Sequence, residues 1–307
     1  VSLPTRRSRV RTPLPAPKKI VKNQNLTTRL FQKYIAEKDI RIFKRNIFYY
    51  FYYRFSRMFF NEPLRIKIDN LYLYSNHKRN KTSHSLLQKC NFFDVSEINT
   101  IKKLNNLHKI FLIDCGCNFG FYSFYTASLS KENEIISIEA SKNTLEEFNK
   151  NLDLNNFHNI EILNKAVADL DNKKIEFHES EKDWESSILN RKFNIKQKIF
   201  VDTVTIDNVL KNRKINNKLI IIKIDVEGAD INVLDGAKNT IKKNKPFIII
   251  EFSKYIFDNL DNIVYFKNFL IKYDYSIFDI NYNKKNLEDI LEILKNLKKR
   301  HKTIGNF

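Results

Sequence analysis

Residues 114–120 and 223–237 hold four of the chain's five glycines, and both stretches set their glycines beside acids at the end of an apolar run. In the second stretch Lys223, Asp225 and Glu227 alternate, so in an extended strand they project to one side. Three charges closing an apolar strand would be costly inside a core and fit the mouth of a cleft. A carboxylate there can accept a proton from a bound ligand. Asp225 is the leading candidate for base or acceptor-orienting group, then Glu227, then Glu251 at the close of the next apolar run. Lys223 is placed to hold a ligand oxygen or to tune the acids. The alternative is a solvated strand-to-helix turn in which Glu227 and Asp230 favour a helix N-terminus. None of the six histidines lies in either stretch, so no histidine base is assigned. An Asp/Glu pair could ligate a divalent cation, but the ligand set looks incomplete, and no metal is expected.

The first stretch, Asp114-Cys115-Gly116-Cys117-Asn118-Phe119-Gly120, turns from an apolar run into a helical pattern. Gly116 allows a tight turn or close backbone approach, and Gly120 lets helix and strand come together. The spacing is G-x-x-x-G rather than the G-x-G-x-x-G of dinucleotide enzymes, so a pyrophosphate cradle is disfavoured. Glu139 ends the following strand, where an acid can accept hydrogen bonds from a ribose diol. Asp114 would repel phosphate and face a cationic or amino group. S-adenosylmethionine has that chemistry. Cys115 and Cys117 also read as a Cys-x-Cys metal pair, but they lack Cys/His partners at useful spacing. They are expected to fill small spaces beside the loop.

Such groups are positioned by the ends of a parallel sheet. Apolar runs at 110–114, 134–140, 159–167, 218–228 and 246–252 alternate with helical patterns at about 119–130, 142–155, 230–243 and 261–272. Continuous Ile/Leu/Val strands separated by amphipathic helices imply an α/β fold, a mostly parallel sheet with helices on both faces. A further strand is expected at 275–281 and a helix at 287–300. Upstream, 65–74 reads as a β-hairpin about Asp69-Asn70 and 94–106 as a helix. The stretch 173–206 reads as an added hairpin whose loop carries Trp184, with Ser186 and Ser187 as cleft-lining candidates.

The net charge is +19, and residues 1–60 contribute fifteen Lys or Arg against two acids, Glu37 and Asp39. The chain divides into a Pro/Arg-rich arm at 1–24, expected to be disordered, a basic aromatic helical extension at 25–62, and a domain over 63–307 whose cofactor half starts near 108. Residues 41–60 interleave ten aromatics with five Lys or Arg. That suits packing on the domain, an anionic membrane interface or single-stranded nucleic acid. No apolar stretch approaches the length of a membrane span or reads as a secretory h-region. With only three cysteines, the expected location is cytoplasmic, or peripheral at the membrane.

The motifs resemble the FkbM family of S-adenosylmethionine-dependent methyltransferases. The likeness rests on D-C-G-C-N-F-G (114–120), E-A (139–140), N-K-A-V (164–167), W-E-S-S-I-L (184–189), T-I-D-N-V-L (205–210), K-I-D-V-E-G-A-D (223–230), V-L-D-G-A (233–237) and P-F-I-I-I-E (246–251). It extends along roughly 65–280, and the K-x-D-x-E-G block is its specific part. The resemblance implies a Rossmann-like class I methyltransferase fold, S-adenosylmethionine held by Asp114, Gly116, Asn118, Gly120, Glu139 and Ala166, and methylation of a hydroxyl, often on a sugar or secondary metabolite. The expected acceptor is a sugar hydroxyl in a glycan or glycolipid. Cys117 stands where the family commonly has a small residue such as alanine, and the closing T-I-G-N-F is expected to truncate the last strand of the implied sheet. Two other functions compete. A nucleic-acid methyltransferase is prompted by the basic arm, yet Asp225-Val226-Glu227-Gly228 is not the Asn/Asp-Pro-Pro-aromatic motif of amine methylation, and Cys90 lacks the setting of a pyrimidine-attacking thiol. A non-catalytic adaptor would keep the fold and bind membrane through 41–60.

Overall fold

The structure is a computed structural model that describes residues 63–75, 81–92, 94–180, 195–252, 260–279 and 281–292, with residues 30, 35, 38–44, 49 and 305–306. The arm at 1–24, most of the extension, the loop bearing Trp184, Ser186 and Ser187, and residues 293–300 of the last expected helix lie outside the described residues.

The hairpin forms as expected from β1 (Leu64–Ile68) and β2 (Leu71–Ser75), with every second residue buried. Two helices follow, α1 (Lys81–Lys89) and α2 (Val95–Leu107). Then come β3 (Lys109–Cys115), α3 (Phe121–Leu129), β4 (Glu134–Ile138), α4 (Lys142–Asn155) and β5 (Ile160–Leu163). After a two-residue β6 (Ala166–Val167), the added hairpin is β7 (Lys174–Ser180) and β8 (Ile195–Val204). The second half continues through α5 (Ile206–Leu210), β9 (Lys218–Ile224), α6 (Asp230–Asp235), α7 (Lys238–Asn244), β10 (Phe247–Phe252) and α8 (Leu260–Tyr273). Short β11 (Ile277–Phe278) and β12 (Lys284–Lys285) pair with each other, and β13 (Gly305–Asn306) closes the order.

The main sheet has the order β13-β10-β9-β3-β4-β5, parallel except for β13. The chain winds outward from β3 through β4 and β5, then returns to lay β9 and β10 on the other side. The reversal makes a switch point between β3 and β9, where α/β sheets place their ligands. Successive strand residues serve opposite faces. Leu112, Ile135 and Ile221 join Phe124 and Phe148 in one core, while Phe111, Ile113, Ile136 and Ile222 join Phe266 and Phe269 in another. Both faces being covered, the strands must be apolar throughout.

Three expectations are corrected. The strand at 159–167 is two strands. At the break Asn164 donates from its side chain to the carbonyls of Glu139 and Ala140, and β6 leaves the main sheet to pair with β8. The helix at 230–243 is two helices broken about Gly236, where a Cβ would stand 2.1 Å from the Ala168 carbonyl oxygen. Asp207 accepts from the amides of Asn239 and Thr240 and so caps α7. The strand at 275–281 shrinks to β11 and stays off the main sheet, whose outer strand beside β10 is β13.

Ile35, Ile40, Phe43 and Tyr49 are buried in the same core as the hairpin. Phe43 stacks on Tyr49 at 5.1 Å between ring centroids, and Tyr49 donates to the Leu87 carbonyl at 2.9 Å. These described members of the extension pack on the domain.

Candidate active site

The two glycine stretches meet backbone to backbone at the switch point. The Asp225 amide donates to the Cys115 carbonyl at 3.1 Å. Gly116, at φ +75°, lies so close that a Cβ would be 2.0 Å from the Asp225 carbonyl oxygen. Gly120, at φ +92°, leaves room for the rings of Phe124 and Phe148. Asn118 takes a left-handed conformation between them (φ 48°).

The loop's amides are engaged internally. Those of Gly116 and Cys117 donate to the Ile138 carbonyl, that of Gly120 to the Cys117 carbonyl, and that of Asn118 to Glu139 Oε2 at 3.0 Å. Glu139 Oε1 accepts from the Ser141 amide at 2.9 Å. Burial raises the Glu139 carboxyl to about 7 against these donors. Asp114 is buried beneath the loop. Its Oδ2 accepts from Ser123 at 2.6 Å, while Oδ1 has no hydrogen-bond partner. Burial also raises Asp114, a shift that Lys223 and Ser123 oppose. An anion nest needs free amides, and this loop offers two acids instead, one with an orphan oxygen. The donor set therefore fits a ligand with hydroxyls and positive charge. Ala166 is buried in β6, close in sequence to the Asn164 bridge.

On the other side of the switch point stands a charge cluster. Lys223 in β9 is 6% exposed and donates to Asp225 Oδ2 at 2.8 Å; the Asp225 side chain remains 33% exposed. The ammonium also lies 4.4 Å from the ring centroid of Tyr122, whose hydroxyl donates to Asp94 Oδ2 at 2.6 Å. Burial would raise Asp225, but the Lys223 ammonium and hydrogen bonds from Lys223 and Glu251 hold it below the ordinary carboxylate range. Glu251 in β10 goes the other way, raised by burial and by the adjacent Asp225 charge. The pair thus shifts apart, Asp225 toward its ionised form and Glu251 toward its neutral form. Burial opposes the Lys223 charge, yet Asp225 and Asp114 keep its pKa raised. Burial lifts Asp94 to about 6 against the Tyr122 hydrogen bond. Asp94, Glu97, Tyr122, Lys223, Asp225 and Glu251 line a cavity of about 20 Å³, room for about one water.

The structure thus brings Lys223, Asp225 and Glu251 together and puts Asp114, Gly116, Asn118, Gly120 and Glu139 in one loop region. Glu227 sits in the turn after β9 at φ 54° and is near enough to raise Glu251. Asp94, Glu97 and Tyr122 escaped the sequence reading. Tyr122 stands two residues past Gly120, but α2 offers no signal that its first turn reaches β9. Cys115 and Cys117 enter different cores, and burial raises both thiols. Among the described residues no three His, Cys, Asp or Glu side chains are grouped to hold a metal ion.

A parallel sheet ordered about a switch point, an acid-flanked glycine loop and a charged strand end beside it define a class I S-adenosylmethionine-dependent methyltransferase. The chain matches the methyltransferase FkbM domain over residues 114–300, more than half its length, and belongs to that family. No curated protein sequence matches it. Among solved structures, it is similar to precorrin-6y C5,15-methyltransferase from Geobacter metallireducens GS-15, with 12% identity over 59% of this chain and 70% of that one, TM-score 0.34. A Staphylococcus aureus protein assigned as a caffeoyl-CoA O-methyltransferase gives 14% identity over 59% and 75%, TM-score 0.36. A methyltransferase from Streptococcus mutans in complex with SAH gives 9% identity over 56% and 78%, TM-score 0.31. The assignment rests on the family match and the strand order.

Proposed function

We propose that the enzyme methylates a hydroxyl, on a sugar within a glycan or glycolipid, with Asp225 as the base. The observation that carries this reading is the Lys223–Asp225 pair. Asp225 is a partly exposed carboxylate kept ionised by a buried ammonium, next to the glycine loop. Asp114, Asn118, Glu139 and the turn of Gly116 and Gly120 would hold S-adenosylmethionine, with Ala166 beside them. When bound, that cofactor supplies an electrophilic methyl group on a sulfonium. The protein's task is then alignment and removal of the hydroxyl proton. That proton passes to Asp225. Glu251, shifted toward its neutral form, would donate to Asp225 and spare it a second buried charge. Glu227 is the reserve carboxylate of this turn, and Lys223 orients the acceptor oxygen while compensating the acids.

The setting proposed for this reaction is cytoplasmic or peripheral to an anionic membrane. The excess of Lys and Arg in residues 1–60 suits such a surface. Phe43 and Tyr49 are buried and serve packing. Among the described residues no helix is long and apolar enough to cross a membrane. The test is transfer of labelled methyl from S-adenosylmethionine to a panel of sugars, glycolipids and nucleic acids. The expected product is a methyl ether that survives mild alkali. Alkali-labile label would mean a carboxyl acceptor, and label only in nucleic acid would mean the competing enzyme; either outcome overturns the reading.

A further inference from the structure

Beside the charge cluster lies a second, larger cavity of about 390 Å³. It runs along the outer side of β10 from Pro246 to Ile250, between α2, α8 and the segment that carries β11. Ile248, Ile250, Phe266, Phe269 and Leu270 make its walls mostly apolar. Glu97, Ile249 and Ile250 line this cavity and the small one alike, so the two are neighbours. Tyr282 closes one side through a 2.9 Å hydrogen bond between its hydroxyl and that of Thr100. At the rim Phe247, Phe278 and Tyr282 are exposed, and Leu260, Val264 and Ile271 present an exposed apolar stripe on α8.

We infer that this cavity holds the apolar chain of a lipid-linked acceptor while the acceptor's hydroxyl sits at Asp225. The inference rests on the hydroxyl-transfer reading above and narrows it to one acceptor class. Three observations select this occupant. The cavity shares Glu97, Ile249 and Ile250 with the small cavity of the charge cluster, so an apolar chain lying in it brings its polar end next to that cluster. Its volume is that of a small-molecule site. The basic charge of residues 1–60 complements the anionic surface on which lipid-linked acceptors reside. A sugar without such a chain would leave the apolar walls facing water.

The test uses the full chain saturated with S-adenosylhomocysteine and titrated calorimetrically with methyl, octyl and dodecyl β-D-glucoside, each kept below its micelle concentration. Every methylene buried raises affinity about fourfold, so two give more than tenfold. The octyl and dodecyl glucosides are expected to bind at one site at least about tenfold more tightly than methyl glucoside. Ser276→Trp and Ser96→Trp narrow the cavity from different walls, and either is expected to abolish the chain-length dependence. Equal affinity along the series in the wild-type chain would overturn the proposal. So would a wild-type chain-length dependence that both tryptophan variants retain while folded. A second copy covering the cavity would also give no chain-length dependence, and the tryptophan variants would then sediment at lower mass. Methyl transfer in the same series separates the two readings. Turnover without chain-length dependence sinks the cavity assignment alone, whereas chain-length-dependent binding without transfer to any sugar sinks the sugar reading alone.

Discussion

Gly116→Ala is the substitution whose cost can be worked most directly from the structure. The new Cβ would lie 2.0 Å from the Asp225 carbonyl oxygen and 2.9 Å from its carbon, and the residue holds φ +75°. A side chain in left-handed backbone costs about 1–2 kcal/mol, and forcing apart a close contact costs about 1–3 kcal/mol more. The expected loss is therefore about 2–5 kcal/mol. At about 2–4 °C per kcal/mol for a domain of this size, Tm should fall by about 4–20 °C. Gly236→Ala supplies the control. Its Cβ would meet the Ala168 carbonyl oxygen at 2.1 Å, but its φ is −73°. It carries only the steric part, about 1–3 kcal/mol. The two variants also differ in consequence, because Gly116 bears on Asp225 itself and Gly236 does not. Calorimetric melting and steady-state methyl transfer should show Gly116→Ala worse in both. A Gly116→Ala protein as stable as wild type, or no less active than Gly236→Ala, would refute the reasoning that the two motifs are held in register by this contact.

Other outcomes follow from the same geometry. Glu139→Ala should weaken S-adenosylmethionine by about 1–3 kcal/mol, read by calorimetric titration; unchanged affinity would remove the ribose assignment. Glu139 is raised from 4.5 to about 7 in the folded chain. It therefore binds more protons folded than unfolded, and its contribution to stability is present below about 4.5 and lost as pH rises through about 7. Glu139→Gln should accordingly gain stability relative to wild type across that window in urea titrations, and a constant difference would contradict the assignment. All three thiols are buried, so a thiol reagent at pH 8 should label none of them until denaturant is added. A chain starting at residue 62 loses the buried Ile35, Ile40, Phe43 and Tyr49 and should aggregate. If it folds and binds cofactor, those residues are dispensable.

The sheet was legible because both of its faces are covered. Runs such as Leu219–Ile222 and Ile248–Ile250 are apolar at every position, a pattern that amphipathic helices do not show. Breaks within elements were less legible because tertiary contacts impose them. Asn164 ends β5 by bonding to the Glu139 and Ala140 carbonyls, and Gly236 breaks a helix where a neighbouring carbonyl comes close. The glycine loop declared itself through glycines that the close approach requires. Lys223 and Asp225 were legible because charges at alternate positions end an apolar strand. Asp94, Glu97 and Tyr122 were not, since they reach the cluster only when α2 and α3 pack against each other and on β3. No local pattern in the first turn of α2 distinguishes an acid facing a cleft from one facing water.

Single-turnover methyl transfer by Asp225→Asn, with S-adenosylmethionine affinity measured in the same preparation, tests the central claim most directly. The amide keeps the shape of Asp225 and can still accept from Lys223, but it cannot take a proton. Cofactor affinity should stay within about threefold of wild type while transfer to the hydroxyl falls by about 10²–10⁴, the range for loss of a general base. Full transfer by Asp225→Asn, or a fall in cofactor binding as large as the fall in rate, would contradict the account.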